Sequence, residues 1–108
     1  MKPIPPCVLL RDTLDRLIRA FAPERIVLFG SYAKGTAEPG SDLDLLVVAH
    51  IEGDPVVHRR RARQLVAASF PPVDVVLCTP EDIAEAPTTG TPFLLSVLGS
   101  GIILYSRS

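Results

Sequence analysis

Two aspartates separated by one residue are the side chains of this sequence with the clearest capacity for chemistry. Asp42 and Asp44 begin an apolar run that continues to Val48. The run predicts a strand, in which residues two apart project from the same face. Two carboxylates on one face repel each other unless water, a proton or a metal ion compensates. The pair therefore predicts a divalent cation held jointly by the protein and by substrate phosphates, as is usual for Mg²⁺.

Asp74 is a third acid placed in the same way, because it interrupts the apolar run of residues 73–78. If the two strands are neighbours in register, Asp74 shares the face of Asp42 and Asp44. Three carboxylates can hold two metal ions about 3.5–4 Å apart, one activating an attacking hydroxyl and the other holding the leaving phosphates. The alternative is that Asp42 and Asp44 lie at a solvated strand end and Asp74 on an edge strand.

The segment Phe29-Gly-Ser-Tyr-Ala-Lys-Gly-Thr36 follows a short apolar run and predicts a turn into a short helix. Gly30 allows a sharp turn and close approach of a ligand to the backbone, and Ser31 adds a hydroxyl beside backbone N–H groups. This combination suits a phosphate, but the segment can equally be a strand-to-helix turn with Ser31 as the N-cap. It is not a P-loop, since Lys34 precedes the second glycine instead of following it.

The elements that position these residues follow from periodicity and from prolines at segment boundaries. We expect helices at about 8–21, just after Gly30, at about 56–70, from Thr79-Pro80, and from Thr91-Pro92 to Leu98; strands are expected at 25–29, 43–48, 73–78 and 102–105. This order predicts a small mixed sheet flanked by helices, either α/β or α+β, in a single domain spanning residues 1–108.

Composition narrows the function classes. The 108 residues carry a net charge of −1, so no global basic field attracts nucleic acid. The arginines between Arg59 and Arg63 are interpreted as a solvated helix face, with an RNA or protein contact as the alternative. No apolar run approaches a membrane span and no signal-peptide core is present, so a cytoplasmic protein without membrane contact is expected. Cys7 and Cys78 are expected to be reduced thiols, the latter buried.

Gly30-Ser31, ten intervening residues, Asp42-Leu-Asp44 and the later Asp74 resemble the signature of the nucleotidyltransferase superfamily that includes DNA polymerase β. The compact form of the motif is similar to that of the minimal nucleotidyltransferases, and the resemblance covers essentially the whole chain. It implies a polymerase β-like fold and transfer of a nucleoside monophosphate, most simply AMP from ATP although another nucleoside triphosphate is possible.

The resemblance also implies roles for individual residues. Asp42 and Asp44 would bind two Mg²⁺ ions, and Asp74 would complete the site and orient the acceptor hydroxyl. Contacts to the triphosphate would come from Gly30, Ser31, Lys34 and Ser41. Related proteins commonly carry arginine where this chain has Lys34, which keeps the charge but lacks the planar bidentate fork.

Minimal nucleotidyltransferases are often encoded with a small helical HEPN protein as a toxin–antitoxin pair, so the resemblance implies such a partner. The acceptor would be a protein hydroxyl; direct binding of nucleic acid is not expected, and a homo-oligomer is compatible with the sequence. A rival hypothesis is an antitoxin that neutralises its partner by stoichiometric contact without catalysis. A receiver-like magnesium protein is disfavoured because the first strand ends in Gly30-Ser31 and not in an acidic pair.

Overall fold

The computed structural model of this chain describes residues 11–38, 40–69, 71–89 and 92–107. Within these ranges the elements are, in chain order, α1 Arg11–Phe21, β1 Arg25–Phe29, α2 Ser31–Lys34, β2 Leu43–Val48, α3 Pro55–Val66, β3 Val73–Cys78, α4 Pro80–Thr89, α5 Pro92–Ser100 and β4 Ile102–Ser106. The predicted order of helices and strands is therefore confirmed. The expected first turn of α1, at residues 8–10, and Thr91 before α5 lie outside the described residues.

The four strands form one sheet in the order β3-β2-β1-β4. β1 pairs antiparallel with both β2 and β4, whereas β2 pairs parallel with β3. Parallel neighbours need a crossover connection, which α3 supplies. The sheet is mixed and flanked by helices, as predicted, and its architecture is that of an α+β protein.

Helices cover both faces of the sheet, so the central strand β2 is buried on both sides. Leu45 and Val47 pack with Leu17 of α1 and Val66 of α3 in one core. Leu46 and Val48, which alternate with them, pack in a second core beneath α4 and α5. Asp44 shares its face of β2 with Leu46 and Val48. This face is thus mostly apolar, and the carboxylate lies near the start of the strand.

The end of α3 differs from the prediction. The helix begins at Pro55, with the Asp54 carboxylate accepting a 2.9 Å hydrogen bond from the Val56 N–H, and it ends at Val66, before the expected residue 70. Ser69 explains the early end, because its hydroxyl lies 2.6 Å from that of Thr13 on α1 and its N–H donates to the Val66 carbonyl in a turn. Phe70 lies outside the described residues.

Prolines mark most boundaries as expected, but Pro87 does not, because it lies inside α4. Its ring supplies no N–H for the carbonyl four residues earlier, and the helix ends two residues later, so only the last turn loses a bond. The start of α4 is confirmed: the Thr79 hydroxyl accepts from the Asp82 N–H at 3.1 Å, and the Asp82 carboxylate accepts from the Thr79 N–H at 3.0 Å.

Two further expectations concern the cysteines and the membrane. Cys78 is a buried free thiol, and burial raises its pKa to about 11, while Cys7 lies outside the described residues. Among the helices of the described residues, none has the length and apolar character needed to span a membrane.

Candidate nucleotidyl-transfer site

Asp44 and Asp74 lie side by side on the sheet. They occupy the second positions of β2 and β3, and the parallel register makes them direct partners. Residues directly opposite in a parallel pair project to the same face, which here is the face beneath α4 and α5. The sequence left open whether Asp74 shares a face with Asp44 or lies on an edge strand. Both hold, since Asp74 is exposed on an edge strand and also lies beside Asp44.

Asp42 adds a third negative charge to this end of the sheet. It precedes β2 and is exposed, whereas Asp44 is half-buried. Burial raises the pKa of Asp44 above its ordinary 3.8, and the charges of Asp74 and then Asp42 raise it further. Asp74 and Asp42 are thus near enough to disfavour the ionised form of Asp44, and a bound cation would offset that repulsion.

Gly30 lies against the Asp44 carboxylate. Phe29 is the antiparallel partner of Asp44, so the next residue of the chain turns directly beside that side chain. The backbone at Gly30 has φ 74° and ψ −153°, and a Cβ there would overlap Asp44 Oδ2 and lie 3.1 Å from Cγ. Sequence reasoning found this glycine through its turn and phosphate chemistry, but only the pairing of β1 with β2 reveals the contact.

Ser31 and Lys34 lie on α2, a single helical turn after Gly30. The N-cap of α2 is Gly30 and not Ser31, so the interpretation of Ser31 as a capping residue is wrong. Tyr32 and Ala33 anchor the turn by packing against the core beneath α1 and α3. Lys34 is exposed, and its N–H donates to the Gly30 carbonyl at 3.1 Å.

Ser41, the remaining predicted nucleotide contact, stabilises the loop before β2. Its hydroxyl accepts a 2.9 Å hydrogen bond from the Glu38 N–H, and its own N–H donates to the Glu38 carbonyl at 2.9 Å. This reciprocal turn delivers the chain to Asp42 and Asp44. One of the two acceptor lone pairs of the hydroxyl is thereby used within the loop.

Two groups near the acids were not predicted as parts of the site. Phe29, the neighbour of Asp44, meets Phe93 of α5 edge to face with ring centroids 5.4 Å apart. Arg59 and Arg63 line a cavity together with Asp74. The sequence marked the arginines as an alternative RNA or protein contact, but it gave no signal that either group lies near the acids, because that depends on which elements pack together.

The carboxylates fit magnesium held jointly with a substrate. Oxygen donors and an excess of negative charge suit a hard divalent cation, and Mg²⁺ usually takes one or two carboxylates plus phosphates. In the part of the chain that the structure describes, no three His, Cys, Asp or Glu side chains already form a group able to hold a metal ion. The expected cluster of three carboxylate ligands is thus not preformed, and phosphate oxygens would have to complete the coordination.

A model of the nucleotidyltransferase domain family matches residues 10–89, a span that contains all of the site residues predicted from the sequence. The chain belongs to this family. Among curated proteins, the nucleotidyltransferase domain is 37% identical over 68 residues to the protein adenylyltransferase MntA of Shewanella oneidensis. That match covers 63% of this chain and 45% of MntA, so the alignment spans about half of the relative's length. The predicted resemblance to minimal nucleotidyltransferases is confirmed.

Solved structures agree with this assignment. A toxin–antitoxin complex with AMP-PNP includes a chain that is 28% identical, with a TM-score of 0.61 over 89% of this chain and 73% of that one. A mutant of the toxin–antitoxin MntA-HpeT matches at 25% identity and a TM-score of 0.52, over 94% and 70% of the two chains. A protein from Sulfolobus solfataricus, solved as a candidate nucleotidyltransferase, shares the fold at 19% identity and a TM-score of 0.65, over 94% and 80%.

Proposed function

We propose that this nucleotidyltransferase domain transfers AMP from ATP to a hydroxyl of a protein acceptor in a magnesium-dependent reaction. The observation that carries the proposal is the side-by-side placement of Asp44 and Asp74, with Gly30 turning against Asp44. The adenylyltransferase named among the relatives and the AMP-PNP of the similar complex favour ATP as the donor.

Asp42, Asp44 and Asp74 would hold Mg²⁺, two ions in the catalytic state. When bound, the metal would neutralise phosphate charge and lower the pKa of the attacking hydroxyl. Gly30 and Ser31 would hold the triphosphate tail through backbone N–H groups and the serine hydroxyl. Lys34 would add a positive charge near the phosphates. Ser41 would contact the nucleotide from the loop that it stabilises.

The acceptor oxygen would attack the α-phosphorus in line with the bond to the bridging oxygen of the β-phosphate. The new oxygen–phosphorus bond forms as that bridging bond breaks, and pyrophosphate leaves. Asp74 is the exposed member of the pair, so its carboxylate would orient the acceptor hydroxyl and accept its proton. Catalysis would come from positioning and electrostatics, with no covalent enzyme intermediate.

The acceptor would be a toxin of the HEPN type, a small helical protein, with residues 1–108 acting as one minimal domain in the cytoplasm, where ATP is abundant. Two similar solved structures are toxin–antitoxin assemblies, which supports a partner of this kind.

The test is intact-mass analysis of the protein encoded beside this chain, incubated with this chain, Mg²⁺ and each nucleoside triphosphate in turn. We expect that partner to gain the mass of one or more AMP groups with ATP, and no gain when Asp44→Asn replaces the wild-type chain. A substoichiometric amount of this chain should suffice. Neutralisation of the partner only at equimolar ratio and without ATP would instead establish the stoichiometric antitoxin.

A further inference from the structure

Arg59 and Arg63 of α3 lie beside β3, close to Asp74 of the candidate site. With Asp74 and residues 75–77 they line a cavity of about 350 Å³. Arg59 also lines a second cavity, of about 320 Å³, whose other walls include Leu77 and Thr79. The two cavities share Arg59 and Leu77 and follow β3, and we refer to them together as the edge groove.

Among the described residues, no strand pairs with the outer side of β3, the strand beside the edge groove. β3 is the last strand of the sheet, so half of its backbone N–H and C=O groups face outward. Its sequence, Val-Asp-Val-Val-Leu-Cys, contains none of the proline or lysine residues with which proteins commonly blunt such an edge. An extended peptide segment can therefore add to β3 through backbone hydrogen bonds.

The charge of the edge groove selects among such segments. Arg59 and Arg63 are both exposed, and in the described ranges no carboxylate lies within ion-pair distance of either guanidinium. Asp74 and Asp82 also line these cavities, but Asp82 belongs to α4 and Asp74 faces α4 and α5, whereas the arginines belong to α3 on the opposite face. Carboxylates of a ligand are therefore favoured on the α3 side only, where the two guanidinium groups lie. None of the described residues that line the two cavities is aromatic, so these walls offer no ring on which an unpaired base could stack. These features favour an acidic peptide over RNA.

The edge groove lies away from Gly30 and Ser31, the proposed binding residues for the triphosphate. Gly30 and Ser31 follow β1, and β2 lies between β1 and β3. With strands spaced about 4.8 Å apart, the two flanks of Asp44 lie roughly 10 Å from each other. The arginines thus lie on the flank of Asp74, where an acceptor would arrive.

We infer that the acceptor segment binds as an added strand on the outer edge of β3, a conclusion that rests on the proposed function. Asp74 faces α4 and α5, whereas α3 packs on the opposite face of the sheet. Successive residues of a strand alternate between faces. The hydroxyl residue therefore lies opposite Asp74, and acidic residues one or three positions away face Arg59 and Arg63.

The experiment measures peptide binding without nucleotide. A fluorescein-labelled nine-residue peptide with a central serine and glutamates one and three positions on each side is titrated with the wild-type chain. A second peptide carries the same glutamates two and four positions from the serine. The double variant Arg59→Gln/Arg63→Gln removes the proposed contacts, and Arg16→Gln/Arg19→Gln removes two exposed charges from α1 as the matched control.

We expect the first peptide to bind up to about tenfold more tightly than the second, and the Arg59/Arg63 variant to lose that preference while the control keeps it. Equal binding of the two peptides, failure of the first to bind, or no effect of the Arg59/Arg63 change would overturn the inference. So would tighter, Arg59/Arg63-dependent binding of a ten-nucleotide RNA. Because no nucleotide is present, peptide binding by a chain that transfers no AMP would contradict only the proposed function.

Discussion

β2 and β3 share one sequence pattern but differ in how deeply they are buried in the sheet. Each strand has an aspartate at its second position followed by four apolar residues, and the two aspartates are register partners. β2 lies inside the sheet, and Asp44 is half-buried with a raised pKa. β3 is an edge strand, and Asp74 is exposed beside Arg59 and Arg63.

The difference indicates a division of labour between two otherwise similar carboxylates. The ionised form of Asp44 is unfavourable where it lies, so this residue gains most from a bound cation and from the nucleotide that accompanies it. Asp74 is reachable from outside the sheet, so it is suited to meet an incoming acceptor.

The largest expected effect comes from exchanging the two aspartates for asparagine one at a time. Asp44→Asn should reduce AMP transfer at least about a hundredfold, and also abolish the rise in melting temperature that Mg²⁺ and ATP produce in the wild-type chain. Asp74→Asn should reduce transfer strongly but retain most of that rise. Intact-mass analysis and thermal-shift assays measure the two quantities.

Asp15→Asn is the matched control, because it removes an exposed carboxylate from α1, away from the sheet. Both readouts should stay at wild-type values. If Asp74→Asn lost the nucleotide-dependent stabilisation as completely as Asp44→Asn, the two carboxylates would act as equals and the division would be wrong.

The next effect concerns the contact between Gly30 and Asp44. Gly30→Ala should displace the Asp44 carboxylate and reduce transfer about tenfold or more, because its Cβ has no space and its φ and ψ are open only to glycine. Gly35→Ala is the control: φ is also 74°, but ψ is 18°, and no atom of the described residues beyond its chain neighbours lies within 4 Å of the added Cβ. It should cost about 1 kcal/mol of stability and leave transfer nearly unchanged. Equal losses of transfer in both variants would mean that the turn matters and the contact does not.

Local patterns in the sequence predict much of this arrangement. Alternation along one strand is enough to put Asp42 and Asp44 on one side and Leu43 and Leu45 on the other. The prolines and capping residues likewise predict where α4 begins at Pro80. These inferences succeed because they depend on neighbours within a few residues.

Contacts between distant segments lie beyond such patterns. The proximity of Gly30 to Asp44 requires the pairing of β1 with β2, and the approach of Arg59 to Asp74 requires α3 to pack on β3. From the sequence the arginines suggested a solvated helix face, and they are indeed exposed. Exposure does not reveal that a cavity shared with a candidate catalytic acid lies beside them.

A smaller effect is expected on stability, and it has the opposite sign to the loss of activity. Because the pKa of Asp44 is raised in the folded chain, the unfolded chain ionises first as the pH rises above about 3.8. Stability therefore falls as the pH passes through the two values and stays lower above them. Asp44→Asn should raise the melting temperature at pH 7 without Mg²⁺.

This gain should disappear near pH 3, where the wild-type carboxyl is protonated as well. Asp74→Asn should change the melting temperature less, because Asp74 is exposed. Thermal melts of the three proteins over a pH series, without divalent ions, provide the measurement. A melting temperature lowered by Asp44→Asn at pH 7 would show that the ionised carboxylate stabilises the apo fold.

The last prediction concerns the far end of β3, where the reactivity of Cys78 tests whether the edge strand is open along its whole length. Burial, followed by the charge of Asp82, raises the pKa of the thiol from 9.0 to about 11, so at neutral pH its thiolate fraction is about a hundredfold below that of a free cysteine. Iodoacetamide at pH 8 should alkylate Cys78 at least about a hundredfold more slowly in the native chain than in urea, as followed by mass spectrometry of the peptide that contains it. Native alkylation is expected to be slow because the thiolate is the nucleophile, and the thiol ionises only as the pH approaches 11. Rapid native alkylation would mean that β3 separates from the core at this end, and that the openness inferred at Asp74 extends along the strand.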